Sequence, residues 1–188
     1  MTRARVLRLL FVVLVAVFFN ACSFFPARHF PARHFPLSSV SVEAQNVVAQ
    51  QQWQLSYEKK LYSLQVIIER TPIDWQWIML NNLGQRLATA RVIGTELNIQ
   101  YQQSHPANAL VAELLEAVEF SYWPIRDLQN SAKSGWTFTE SKMRRDIYFS
   151  GILRASVNYE SENLWQGRLS YENKKRNFQL LIESQLVN

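Results

Sequence analysis

The stretch QWQLSYEKKLYSLQVIIER, residues 52–70, decides the fold class. Its first part alternates Trp53, Leu55 and Tyr57 with Gln54 and Ser56, and its last part alternates Leu64, Val66 and Ile68 with Gln65, Ile67 and Glu69. A period of two sends successive side chains to opposite faces of a pleated strand. The stretch therefore reads as two half-buried strands joined at Glu58-Lys59-Lys60. The same period continues in Trp75, Trp77 and Met79, which alternate with Gln76 and Ile78, and further strands are expected at 85–92 and 97–102. Turn chemistry separates them at Thr71-Pro72, Asn81-Asn82-Leu83-Gly84 and Ile93-Gly94-Thr95.

Past His105-Pro106 the period changes. Leu110, Leu114, Leu115 and Val118 fall at helical spacing, with Glu113, Glu116 and Glu119 elsewhere around the turn, so an amphipathic helix is expected over 108–120 with Asn108 as its N-cap. Trp123-Pro124 stops it, and a short second helix fits 125–131. Strands resume at 136–139, 144–150, 152–159, 165–171 and 178–186. The fold class is mainly β, an antiparallel sheet of about ten strands with one or two inserted helices. Residues 55–69 and 169–183 align without a gap, with eight of fifteen positions identical, and both read as one kind of hairpin: aromatic-ended strand, charged turn, apolar strand.

Outside this region the chain begins with Arg3, Arg5 and Arg8, an apolar run from Leu9 to Phe19, then Asn20-Ala21-Cys22. A basic start, a short apolar run and a small residue at its end make a signal peptide. The run is too short for an ordinary membrane span, which needs about 20 apolar residues. Ala21 directly before the only cysteine resembles a bacterial lipobox, which implies cleavage after residue 21 and acyl chains on Cys22. Phe19 stands where that motif usually has an aliphatic residue. Ser23 after the cysteine, rather than Asp, implies the outer membrane by the same resemblance, with the domain facing the periplasm. Residues 22–41 then form a tether in which Pro-Ala-Arg-His-Phe occurs twice, at 26–30 and 31–35. Its regularly spaced prolines favour extended chain, at about 3.1 Å per residue. Residues 42–188 are the domain.

Charge and chemistry exclude several functions. The formal charge is +5, from 20 basic and 15 acidic residues, but removing the three leader arginines leaves 17 against 15. Basicity then loses most of its force as an argument for nucleic acid, which an exported protein would not meet. Two of the three histidines, His29 and His34, lie in the tether without a third ligand nearby, so no metal site is expected. His105 is expected as a turn residue, Glu160 and Glu162 as a solvated strand end, and the basic clusters Lys59-Lys60, Arg144-Arg145 and Lys174-Lys175-Arg176 as solvated turns. No nucleophile elbow, phosphate loop or zinc-protease motif occurs, and no cofactor or catalytic residue is expected.

The remaining quantity is the 48% apolar content. A curved sheet wrapped around one helix can leave a hollow, and candidate lining residues are Leu64, Val66, Ile68, Trp75, Trp77, Leu114 and Val118; composition fits a filled core equally well. The lipobox, the Leu83-Gly-Gln-Arg-Leu87 turn after Trp75–Leu80, and the helix ending near Tyr122-Trp123-Pro124 together resemble a family of small bacterial outer-membrane lipoproteins. That family is similar in architecture to the lipoprotein carrier LolA and receptor LolB and often accompanies aryl-polyene biosynthesis genes. The resemblance implies a half-barrel with helices over a hydrophobic cavity that binds acyl or polyene chains. An envelope protein partner and a packed scaffold are the alternative. Thr71-Pro72-Ile73 is the candidate for the protruding apolar loop that a LolB-like receptor uses.

Overall fold

The computed structural model describes Phe35, Pro36 and residues 46–187. The leader, Cys22 and the rest of the tether lie outside the described residues. Ten strands run in chain order: β1 (Val47–Tyr57), β2 (Lys60–Arg70), β3 (Asp74–Leu80), β4 (Arg86–Ile93), β5 (Glu96–Tyr101), β6 (Trp136–Ser141), β7 (Arg144–Phe149), β8 (Ile152–Tyr159), β9 (Gly167–Asn173) and β10 (Phe178–Leu186). They form one antiparallel sheet in the order β5-β4-β3-β2-β1-β10-β9-β8-β7-β6. Two five-stranded meanders are thus joined through the pairing of β1 with β10, in which Trp53 faces Ile182 and Leu55 faces Leu180. No pairing joins β5 to β6 among the described residues, so the sheet is open.

The helices enter between the two meanders. A 3₁₀ turn, Pro106–Leu110, leads into α1 (Val111–Tyr122), and α2 (Ile125–Ser131) follows Pro124. The sheet wraps α1 from several sides. Tyr122 accepts a hydrogen bond from Gln51 of β1, the Tyr159 hydroxyl of β8 donates to the Ser121 carbonyl, and Trp136 of β6 lies against Phe120. All twelve residues of α1 are consequently buried, including Glu113, Glu116 and Glu119. The amphipathic expectation fails at those three positions, because no side of this helix is left to solvent.

The alternation in β1 is what forms the sheet's two faces. Ala49, Gln51, Trp53 and Leu55 are buried while Gln50, Gln52, Gln54 and Ser56 are exposed, so one face wraps the core and the other meets water. Glu58 and Lys59 make the tight β1–β2 turn with positive φ (50° and 61°), the left-handed geometry that a two-residue hairpin requires.

One expectation is corrected here. His105, not Asn108, caps the 3₁₀ turn through Nδ1, which accepts the Ala107 N–H at 3.2 Å; Asn108 is buried and donates to the Gln103 carbonyl. The similar segments 55–69 and 169–183 are both hairpins, but their registers differ. Leu55 faces Tyr62, whereas its aligned counterpart Leu169 faces Ile182 rather than Arg176. Shared hairpin grammar, not one repeated hairpin, accounts for the identity.

His105 supports a pH prediction. Burial lowers its pKa below the ordinary 6.5, and only the neutral ring keeps Nδ1 free to accept. A base whose folded pKa lies below its unfolded value contributes stability that is full above the unfolded value and lost as pH falls past it. The loss of stability between about pH 8 and about pH 5, read from urea denaturation, should therefore be larger in the native chain than in His105→Asn, whose amide still caps.

Candidate functional site

The seven residues expected to line a hollow are brought together, in the wrapped interior. Leu64, Val66 and Ile68 of β2, Trp75 and Trp77 of β3, and Leu114 and Val118 of α1 are each at most 1% exposed and belong to one apolar cluster. Trp77 packs on Trp53 with ring centroids 6.2 Å apart, and Trp75 meets Trp123 edge-on at 5.2 Å. Arg70 stacks over Trp123 at 4.7 Å, and burial lowers its pKa while nearby Asp127 opposes that shift. None of the seven lines the cavity described next.

An apolar cavity of about 140 Å³ lies instead in the second half of the molecule, between α1 and strands β6 to β9. Phe120, Trp136, Phe149, Ala155 and Tyr171 form its apolar wall. The space is there because Ala155, where the pairing of β7 with β8 shifts register, fills so little volume beside large rings. Its polar wall is Glu113 and Glu116 from α1, with Arg154, Asn173, Lys175 and Arg176. Burial raises the Tyr171 phenol far above its ordinary pKa, with Glu116 next and Glu113 adding, so it stays neutral. Arg176 Nε lies 3.0 Å from Glu113 Oε1, at ion-pair distance but without hydrogen-bond alignment.

Phe35 joins this site from the tether. Its ring is 1% exposed and meets Phe120 at 5.0 Å, Trp136 at 5.2 Å and Phe138 at 5.9 Å, each edge-on. Its backbone N–H donates to Glu116 Oε1 at 2.8 Å. Three aromatic rings of the domain thus enclose a side chain from the expected tether.

The other sequence candidates fall into place. Arg145 is not a solvated turn residue: it is 2% exposed, its guanidinium donates to the carbonyls of Phe120 (2.6 Å) and Trp123 (2.8 Å), and it pairs with Glu140. It clamps the C-terminal end of α1 to β6 and β7. Glu160 and Glu162 are exposed, and Glu162 pairs with Lys142. His105 packs edge-on against Tyr62 and spends its nitrogen on the cap. Ile73 is 78% exposed at the tip of the Thr71 loop, where the Thr71 hydroxyl donates to Asp74 Oδ1 at 2.6 Å; Gly94, next to exposed Ile93, donates to the Ile73 carbonyl. Among the described residues no group of three or more His, Cys, Asp or Glu is placed to hold a metal ion, and no helix is long and apolar enough to cross a membrane.

Sequence reasoning missed the cavity's own wall: Phe120, Trp136, Phe149, Ala155 and Tyr171. The signal present was a small residue, Ala155, within an aromatic-rich second half.

Residues 48–186 match the family model DUF3261, described as a protein of unknown function. Among solved structures, the chain is similar to a domain described as an outer membrane lipoprotein-sorting protein domain from Vibrio parahaemolyticus, with TM-score 0.40 and 6% identity over 75% of this chain and 85% of that one. It is also similar to a DUF1329 family protein from Desulfovibrio piger, with TM-score 0.35 and 9% identity over 77% of this chain and 85% of that one. No curated protein matches.

Proposed function

The chain belongs to the DUF3261 family, and we propose that it is a non-catalytic lipoprotein of the outer membrane that binds an acyl or polyene chain and assists its transfer or localisation. Acyl chains on Cys22 anchor it, with the domain facing the periplasm. The observation that carries the reading is the cavity between α1 and β6–β9, a mostly apolar space bordered by cationic side chains. Its 140 Å³ is close to the dry cavities of about 150 Å³ that take up benzene. It therefore accepts the end of a chain, about five or six carbons. Five buried methylenes contribute about 4 kcal/mol at about 0.8 kcal/mol each. Arg154 and Lys175 at the rim suit an anionic head group, with Glu113 already paired to Arg176.

Ala155→Phe tests this. The added ring points into existing space, so the protein stays folded, and uptake of a fluorescent fatty acid should fall at least about tenfold. Native mass spectrometry of the unsubstituted chain should show co-purified lipid. Absence of both lipid and uptake would remove the reading.

A second reading, an envelope scaffold that binds a protein partner, draws on the packing of Leu64, Val66, Ile68, Trp75, Trp77, Leu114 and Val118. On this reading the interior of the first meander is core and not a binding space. Stoichiometric recovery of one envelope protein, with no lipid uptake, would favour it.

A further inference from the structure

We propose that Phe35 is a built-in occupant of the lipid cavity, so that a chain entering the cavity displaces it and frees the tether; this rests on the chain-binding reading above. Phe35 and the cavity share walls. Phe120 and Trp136 enclose the ring and also line the empty space, and Glu116, which accepts the Phe35 N–H, lines it too. The ring thus fills one end of a single apolar hollow whose remaining volume is 140 Å³. A ligand confined to that remainder buries only a short segment. One that also takes the ring's place buries several more methylenes.

The contact is specific in kind. Helix α1 holds a buried carboxylate, Glu116, and that carboxylate receives a main-chain N–H from a residue 81 positions earlier, while the next residue, Pro36, has no N–H to place. The socket therefore recognises one aromatic side chain and one backbone donor of an extended segment, and the protein supplies both from its own tether. One buried ring and one hydrogen bond favour the closed form by about tenfold to thirtyfold, which a longer chain overcomes. The coupling is reciprocal: whatever closure takes from ligand affinity, ligand returns as tether release. Closed, the domain is tied to its linker at residue 35, and open it gains the length beyond. Cavity occupancy thereby sets how far the domain reaches from the bilayer.

The repeat shapes the experiment, because Phe30 stands in an identical five-residue sequence and could replace Phe35. In the full mature chain carrying Cys22→Ser, so that no attached acyl group competes, dansylundecanoic acid is titrated into the parent, Phe35→Ala, Phe35→Leu and Phe30→Ala/Phe35→Ala. The double variant should bind about tenfold to thirtyfold more tightly than the parent, with Phe35→Leu between them. A fluorophore on Ser38→Cys, the unique thiol in this background, should gain mobility when the fatty acid is added. Equal or weaker binding by the double variant, with unchanged mobility at position 38, would make Phe35 an ordinary core residue and leave the chain-binding reading intact. Failure of every protein to bind the fatty acid would instead remove that reading, and this inference with it.

Discussion

Arg145→Met should lower the stability of the domain by about 3 kcal/mol in urea denaturation. Methionine reproduces much of the side-chain length and none of the donors. What it leaves behind is the carbonyls of Phe120 and Trp123, both at the buried end of α1. Each orphaned buried acceptor costs about 1–3 kcal/mol. Loss of a buried ion-pair partner adds about 3–5 kcal/mol when the remaining charge cannot reach water. Here it can: Glu140 is 37% exposed and rehydrates, so that contribution is small. The separation is measurable. Arg145→Met/Glu140→Gln should match the single variant within about 0.5 kcal/mol, whereas a dominant orphaned charge would make the double variant clearly more stable. Arg145→Lys should recover little, because one ammonium on a shorter reach cannot serve Glu140 and two carbonyls in the planar fork that arginine provides.

Arg145 also explains why part of the site was hidden in the sequence. Strand boundaries were readable because the outer face is solvated, and Gln50, Gln52, Gln54 and Ser56 mark it residue by residue in β1. The same alternation applied to the Arg144-Arg145 doublet would have sent one of the two inward. Arg144 does lie outside, paired with Asp146 at 2.9 Å, and Arg145 lies inside. Reading the doublet as a turn suppressed that inference. The three glutamates of α1 were misread for a different reason. Amphipathicity assumes that a helix has a solvent side, and only the closure of two distant meanders around α1 removes it. Arg176, which pairs with Glu113, and the Phe35 N–H, which Glu116 accepts, come from opposite ends of the chain. The tether is a similar case: proline spacing predicts extended backbone but says nothing about what one phenylalanine within it touches.

The cavity shows the limit most directly. An apolar residue list identifies what is removed from water and not what is left empty, because emptiness depends on which side chains face one another across elements. Trp75 and Trp77 are, with Trp53, the largest apolar groups of the first meander's interior, and size makes them natural candidates. Both are packed in the interior, each at most 1% exposed. Phe149, Ala155 and Tyr171, less conspicuous in the sequence, leave the gap.

Trp77→Ala separates these roles experimentally. The side chain is fully buried, packed on Trp53 in the cluster that includes Leu64, Val66, Ile68, Leu114 and Val118. Removing it opens a void in a close-packed interior, and the loss should be about 3–5 kcal/mol. Trp77→Phe should cost far less, about 1 kcal/mol. It keeps most of the ring volume and deletes an indole N–H that has no hydrogen-bond partner among the described residues. Fatty-acid affinity, measured well below the denaturation midpoint, should be unchanged in Trp77→Phe. The ring lies in the first meander, while the cavity wall is built from α1 and the second. A weaker affinity there, at nearly native stability, would move the binding site back to the sheet face that Trp75 and Trp77 occupy, and would require that packed interior to open.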